Sequence, residues 1–387
     1  MLAGAIATGV APGVVALAAD DGGVVYAGAF GVREIDQDRL MSLDTVVKIA
    51  SMTKAVTSVA AMQLVEQGRI GLDEPLGSHV PELATVQVLE GFDEAGAPRL
   101  RPPRRPITLR HLLTHTAGFA YHFWNADMLR YHDCTGVPTI ADLKRACLEV
   151  PLVCDPGECW EYGLSTDWVG QTVERLSGQS LDDYFREHIL DPLGMSDTGF
   201  FIGSEQRSRL AVKHARQPDG SLHPLPPGEP QEPEFLEGGG GLYSTGPDYL
   251  RFLRMLLGNG QLEGVRILRA ETTAEMSMNQ IGELIVGALT TAVPEASNTV
   301  EFFPGMAKKW GLGAMITTQA VPGGRAEGSL CWAGMANTYF WIDPTRRLTG
   351  VLLTQIMPFA DPGVLDLFAR FERAIYAGSG GKGLPPA

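Results

Sequence analysis

From Ile49 to Val65 the chain carries a single charged side chain, Lys54, in a run of apolar and small residues that reads as a helix ended by Gly68. A helix that is apolar on every side has no face to offer water, so the fold has to enclose it. That demand selects layered architectures built around one central helix. The same run poses a chemical question, because a lone ammonium is costly to bury unless something pairs with it or uses it. Ser51-Met-Thr-Lys54 places a hydroxyl three residues earlier, and residues three apart on a helix share a face with about 5–6 Å between their Cβ atoms. The spacing suits a nucleophilic hydroxyl activated by an amine. Two ordinary roles compete with that reading: Ser51 as a helix cap, and Lys54 reaching along the surface to water. The four residues alone leave the choice open.

Around this helix the remaining patterns divide the chain. Gly13–Ala18 and Val24–Ala29 are β-prone runs joined by Asp20-Asp21-Gly22-Gly23, a hairpin signal. From Gly71 to about Glu237 helical patterns dominate, at Leu109–Thr114, Ile140–Val150, Thr166–Leu176 and Leu181–Leu190. A Pro-rich stretch, Pro224 to Pro233, cannot supply a regular ladder and marks the way out of that region. Beyond it Pro247–Leu257 opens a helix with proline. Gly311–Thr318, Ser329–Trp332, Thr338–Ile342 and Leu348–Gln355 then read as an antiparallel meander, and Val364–Tyr376 as an amphipathic closing helix. The expected fold class is α/β in the α+β sense: an antiparallel sheet flanked by N- and C-terminal helices, plus a mainly helical domain. Residues 1–70 and 235–387 would form the discontinuous α/β domain and 71–234 the helical one, with the active site between them.

Composition removes several classes of function. A net charge of −14 without a long basic run opposes binding to phosphate backbones, so nucleic acid is not an expected partner. No stretch approaches the ~20 apolar residues of a membrane span, and the first residues lack the basic and apolar regions of a secretory signal. A cytoplasmic protein that does not enter membranes is the expectation. The cysteines, Cys134, Cys147, Cys154, Cys159 and Cys331, include no C-x-x-C pair, and their odd number suits reduced thiols better than a disulfide framework. His111-Leu-Leu-Thr-His115 has zinc-helix spacing but lacks the glutamate that should follow the first histidine, so it reads as a structural pair. Gly238–Gly241 and Gly311-Leu-Gly313 lack the rest of a nucleotide-binding fingerprint. No cofactor and no metal are expected, and nothing in the sequence fixes an oligomeric state.

Val47-Lys-Ile-Ala-Ser51-Met-Thr-Lys54, with Leu64 to Pro75 after it, resembles the nucleophile helix of the serine β-lactamase and penicillin-binding-protein superfamily. Three further segments resemble that superfamily in the same order. They are Ile107 to Gly118, Trp160-Glu-Tyr162-Gly, and Gly238 to Thr245. Within it the chain is most similar to class C β-lactamases and the family VIII carboxylesterases. The resemblance implies Ser51, Lys54 and Tyr162 as catalytic residues, with Tyr162 hydrogen-bonded to Lys54. It also implies an oxyanion hole formed by the backbone N–H groups of Ser51 and Met335. Two departures bear on the substrate. Leu164 stands where class C enzymes carry an amide-holding Asn, and Trp332-Ala333-Gly334 where they carry Lys-Thr-Gly, similar to the Trp-Gly-Gly of family VIII esterases. An apolar Leu cannot bond a substrate amide, and without the Lys a lactam carboxylate loses its cation. A serine carboxylesterase acting on a small-molecule ester, with short acyl or aromatic groups, is therefore expected. A β-lactamase or D-amino-acid peptidase, an acyltransferase, and a non-catalytic ligand-binding relative are the alternatives. Phe119, Tyr121, His122, Phe123 and Trp124 follow the second segment, and Phe119, Tyr121 and Trp124 join Trp332, Ala333, Gly334 and Leu164 as expected substrate-binding residues. Lys308-Lys309, a possible substitute cation, reads as a solvated turn.

Overall fold

The computed structural model describes residues 1–226 and 233–379. One edge of its main sheet is the hairpin Gly13–Asp20 and Gly23–Gly31, whose turn is closed by Asp20 Oδ1 accepting the N–H groups of Gly22 and Gly23. The first strand is buried along nearly its whole length, as its unbroken apolar sequence requires of a strand covered on both faces. It pairs antiparallel with Leu348–Leu353 on its other side. From one edge to the other the seven-stranded sheet runs Lys309–Trp310, Met315–Ile316, Leu330–Gly334, Thr338–Asp343, Leu348–Leu353, Gly13–Asp20, Gly23–Gly31. The expected meander is present.

Alternation along these strands decides what covers each face. Tyr339 and Trp341 point to the closing helix Pro362–Ser379, where they meet Phe368 and, from Trp341, Phe371. Phe340, between them in sequence, points the other way and meets Tyr249 of the helix Gly246–Leu257. Tyr249 in turn donates from its hydroxyl to Met52 O at 2.9 Å, tying that layer to the helix Thr53–Glu66. Every residue of the latter from Thr53 to Leu64 is buried, which is the enclosure its sequence demanded. Its second flank is the helix Ser165–Ser177.

Between Gly71 and Glu237 the structure departs from the expected pattern in four places. Ile140–Val150 is not one helix but two 3-10 turns, Ile140–Asp142 and Arg145–Leu148, separated where Leu143 takes a φ of +49°. Leu181–Leu190 begins as an α-helix over Leu181–Phe185 and continues as a π turn over Arg186–Leu190. Two small hairpins also occur where no strand is expected, Val88–Phe92 with Pro98–Arg101 and His214–Arg216 with Leu222–Pro224. Pro224 thus ends a strand, tolerated there because a terminal residue need not donate. Pro227 to Glu232, the middle of the Pro-rich stretch, lie outside the described residues.

The cysteine expectation is overturned. Cys154 and Cys159 form a disulfide, while Cys134, Cys147 and Cys331 are free thiols. An odd count excludes only complete pairing; a local bridge across a Pro-Gly turn escapes that argument. Among the described residues no helix is long and apolar enough to cross a membrane.

Candidate active site

The backbone before Ser51 is held on two sides. Val47–Lys48 pairs antiparallel with Tyr243–Ser244, and Ile49 N–H donates to Leu242 O. On the other side a Cβ at Gly334 would stand 2.1 Å from Ile49 O, so only glycine lets the end of the Leu330–Gly334 strand approach. Thr338 Oγ1 also donates to Ile49 O, at 3.2 Å. Ala50 follows at a φ of +46°, uncommon for a residue with a side chain, and Ala50–Met52 forms a 3-10 turn. The α-helix proper starts at Thr53, with Ser51 just ahead of it.

Neither ordinary role holds for the motif. Ser51 does not cap the helix, whose N-cap is Met52, and Lys54 does not reach water, being 1 % exposed. An ammonium has three N–H donors, and Lys54 Nζ has three acceptors: Gly239 O at 2.7 Å, Tyr121 Oη at 3.0 Å and Ser51 Oγ at 3.2 Å. Full satisfaction makes its burial tolerable.

The tyrosine beside Lys54 is not the one expected to bond it. Tyr121, expected as a pocket wall, takes the hydrogen bond from Lys54, while Tyr162 places its ring under Nζ at 4.8 Å from the centroid. The Tyr162 hydroxyl instead accepts from Trp332 Nε1 at 2.8 Å. The spacing in sequence could not distinguish them, since both aromatic residues arrive from distant segments. Burial and the nearby acidic groups, Asp167 first, push the Tyr121 phenol well above its usual pKa, so it stays protonated.

His115 lies against Tyr162 with ring centroids 4.6 Å apart and edge-on to Trp310 at 5.2 Å. Burial, then the charge of Lys54, lower its pKa well below the usual value, so the imidazole is neutral. Its partner in sequence, His111, completes a capping box with Thr108 at the start of the Leu109–Leu113 helix. Trp124 is partly buried, 5.4 Å from Tyr162, and donates from Nε1 to Ser297 Oγ. Phe119 has no exposed surface and packs toward Trp168, which makes it interior rather than a wall. Leu164 is also buried, at the head of the Ser165–Ser177 helix. Ala333 and Gly334 continue the strand from Trp332, and Met335 begins the turn after it. Lys308 is not solvated: it is buried and paired with Glu301 at 3.0 Å, and Lys309 donates to Gly282 O and Leu284 O.

Two acidic groups that sequence reading passed over stand behind Lys54. Asp167 is fully buried, and Oδ1 accepts the N–H of Gly239 at 2.8 Å. Burial and then the charge of Glu237 raise its pKa to about 7, against the pull of Lys54. Glu237 is raised as well, by burial, with Lys48, Lys54 and Lys213 opposing. The criterion that singled out Lys54 would have found Asp167, the only charged residue between Tyr162 and Gln171. A separate cavity of about 270 Å³, bordered by Ala55, Leu256, Met276, Leu312 and Phe340, includes none of the expected site residues in its lining.

The beta-lactamase family profile matches residues 2–375. Monacolin J acid methylbutanoyltransferase of Aspergillus terreus is 34% identical over 391 residues, covering 95% of this chain and 92% of its own. Lovastatin esterase of Penicillium rubens is 34% identical over 389 residues, covering 96% of both. The unliganded structure of simvastatin synthase from Aspergillus terreus superposes with a TM-score of 0.83 at 31% identity, over 98% of this chain and 97% of that one.

Proposed function

The chain belongs to the beta-lactamase family, and from that premise we propose that it is a serine carboxylesterase that passes the acyl group of an ester through a covalent intermediate on Ser51. The observation that carries the reading is the buried Lys54 ammonium, shared among Ser51 Oγ, Tyr121 Oη and Gly239 O. Ser51 Oγ attacks the ester carbonyl carbon, its proton leaves to the site, the alcohol departs with a proton, and water cleaves the acyl-enzyme.

The two tyrosines divide the work. Tyr121, held protonated by burial, is a fixed partner of Lys54 and a poor base. Tyr162 has an oxygen that accepts from Trp332 Nε1 and a ring that faces the Lys54 ammonium, so its hydroxyl, unlike that of Tyr121, is not engaged by Lys54. Tyr162 is therefore the group we assign to carry the proton from Ser51 to the leaving oxygen. The oxyanion is assigned to the backbone N–H groups of Ser51 and Met335, which the approach of Gly334 to Ile49 supports. Trp332 and Trp124, both packed against Tyr162, make an aromatic surround that favours an uncharged ester over an anionic lactam.

One observation favours a second reading. Its relatives include both a methylbutanoyltransferase and an esterase at the same identity. An alcohol could therefore replace water as the acyl acceptor on the same intermediate. Turnover of p-nitrophenyl acetate, phosphonate labelling followed by mass spectrometry, and product analysis with added alcohol test both. Ser51→Ala is expected to lose at least about a thousandfold in kcat/KM and all labelling. Unchanged turnover, or a label on another residue, sinks the proposal; ester product exceeding acid at modest alcohol concentration selects the transferase.

A further inference from the structure

The acyl-transfer chemistry above leaves Asp167 without a task, yet its placement is costly. It lies on the Ser165–Ser177 helix with no exposure to solvent, and its Oδ2 has no hydrogen-bond partner among the described residues. A buried carboxyl oxygen without a partner forfeits its hydration. The group is also locked in place: a Cβ at position 239 would stand 2.6 Å from Asp167 Oδ2, so the glycine backbone lies directly on the carboxyl. That glycine links the two charged residues, with its N–H donated to Asp167 Oδ1 and its carbonyl receiving Lys54 Nζ. The preceding carbonyl, Gly238 O, accepts from Thr57 Oγ1 one turn along the Lys54 helix, so the strip is fastened to both helices.

We propose that Asp167 is a positioning residue for Lys54, fixing the ammonium against Ser51 through Gly239 and, with Glu237, setting the negative field in which it is held. The inference rests on the reading of Ser51 as the nucleophile. The groups facing Asp167 are Lys54 from the Thr53–Glu66 helix, Glu237 from the glycine-rich strip, Tyr121 from the loop after Gly118, and Cys147 from the Arg145–Leu148 turn. Lys54 is the cation among them and touches Ser51, so a proton lost from Asp167 changes the field at the residue that holds the nucleophile.

The experiment compares Asp167→Ala, Asp167→Asn and Glu237→Gln with wild type on p-nitrophenyl acetate between about pH 5.5 and 9, with phosphonate labelling of each. Asp167→Ala is expected to lose about ten- to a hundredfold in kcat with KM within about twofold, because Lys54 loses its anchor and small displacements are expensive. Asp167→Asn keeps an oxygen for the Gly239 N–H and should recover most of that loss. Wild-type kcat is expected to show an inflection near neutrality, and Asp167→Asn to lack it. Glu237→Gln should move the inflection to lower pH, since it removes the neighbour that holds the Asp167 proton. Folded Asp167→Ala with wild-type kcat overturns the proposal, as does Asp167→Asn with the wild-type pH profile. If Asp167→Ala does not fold, the profile of Asp167→Asn decides. A wild-type protein that is not labelled on Ser51 refutes the acyl-enzyme reading instead. Labelling of Ser51 with indifferent Asp167 variants refutes only the positioning role.

Discussion

Two of the regions in which charge is buried treat it in opposite ways. At the closing helix, Arg325 is 1 % exposed and grips Glu372 through Nε at 2.8 Å and Nη2 at 2.6 Å, while its backbone N–H adds a third bond to the same carboxylate. Phe303, Trp341 and Phe368 line the guanidinium. Burial pushes Glu372 up, but the charge and hydrogen bonds of Arg325 more than reverse this, so it is ionised throughout the ordinary pH range. Behind the candidate active site Lys54 and Asp167 are just as deeply buried, yet a glycine stands between them and the carboxyl pKa rises. A direct bidentate pair cancels charge locally and holds a helix in place. A pair kept apart by backbone keeps its charges adjustable, which a proton-transferring site needs and a structural one does not.

The largest effect expected from that contrast is on stability. Glu372→Ala leaves a buried guanidinium uncompensated and should cost about 3–5 kcal/mol in urea unfolding. Asp167→Asn at pH 6 should shift Tm by less than about 4 °C. Equal losses would break the distinction between the two regions.

The pH dependence of stability should separate them in sign. Asp167 has a raised pKa, so the stability contributed by its protonated form is complete below the unfolded carboxylate pKa and is lost as pH rises toward about 7. The advantage of Asp167→Asn over wild type should therefore grow across that window, by at most about 1.4 kcal/mol per pH unit, and level off above it. Glu372 has a lowered pKa, so its contribution is present above the unfolded value and disappears as pH falls through the folded one. The penalty of Glu372→Gln should accordingly shrink in acid. Chemical unfolding at a series of pH values reads both, and slopes of the same sign would contradict the electrostatic account.

The smallest effect sharpens the active-site half. Trp332→Phe keeps an aromatic ring but removes the N–H given to Tyr162, and should lower kcat about tenfold with KM within about twofold. A change confined to KM would make Trp332 a wall and nothing more.

What was legible in the sequence was local. The enclosed helix, the hairpin, the meander and the closing helix follow from periodicity and turn residues, and Ser51 and Lys54 follow from spacing along one helix. Ile140–Val150 misled because a suitable apolar pattern does not reveal that Leu143 will take a left-handed backbone. The odd cysteine count misled because pairing depends on which thiols a turn brings together. Tyr121 was visible, but as a pocket wall and not as the hydrogen-bond partner of Lys54.

The sequence by itself determined that a lone lysine would be enclosed one turn from a serine, since an all-round apolar helix has no other stable placement. Tertiary structure decided what surrounds that lysine. Tyr121 lies 67 positions from Lys54 and Gly239 lies 185, and the Gly239 contact with Asp167 spans 72. Contacts of that range depend on how helices, strip and sheet pack, where a glycine against Ile49 or under a carboxyl fixes distances to tenths of an ångström. No periodicity along the chain encodes such a distance.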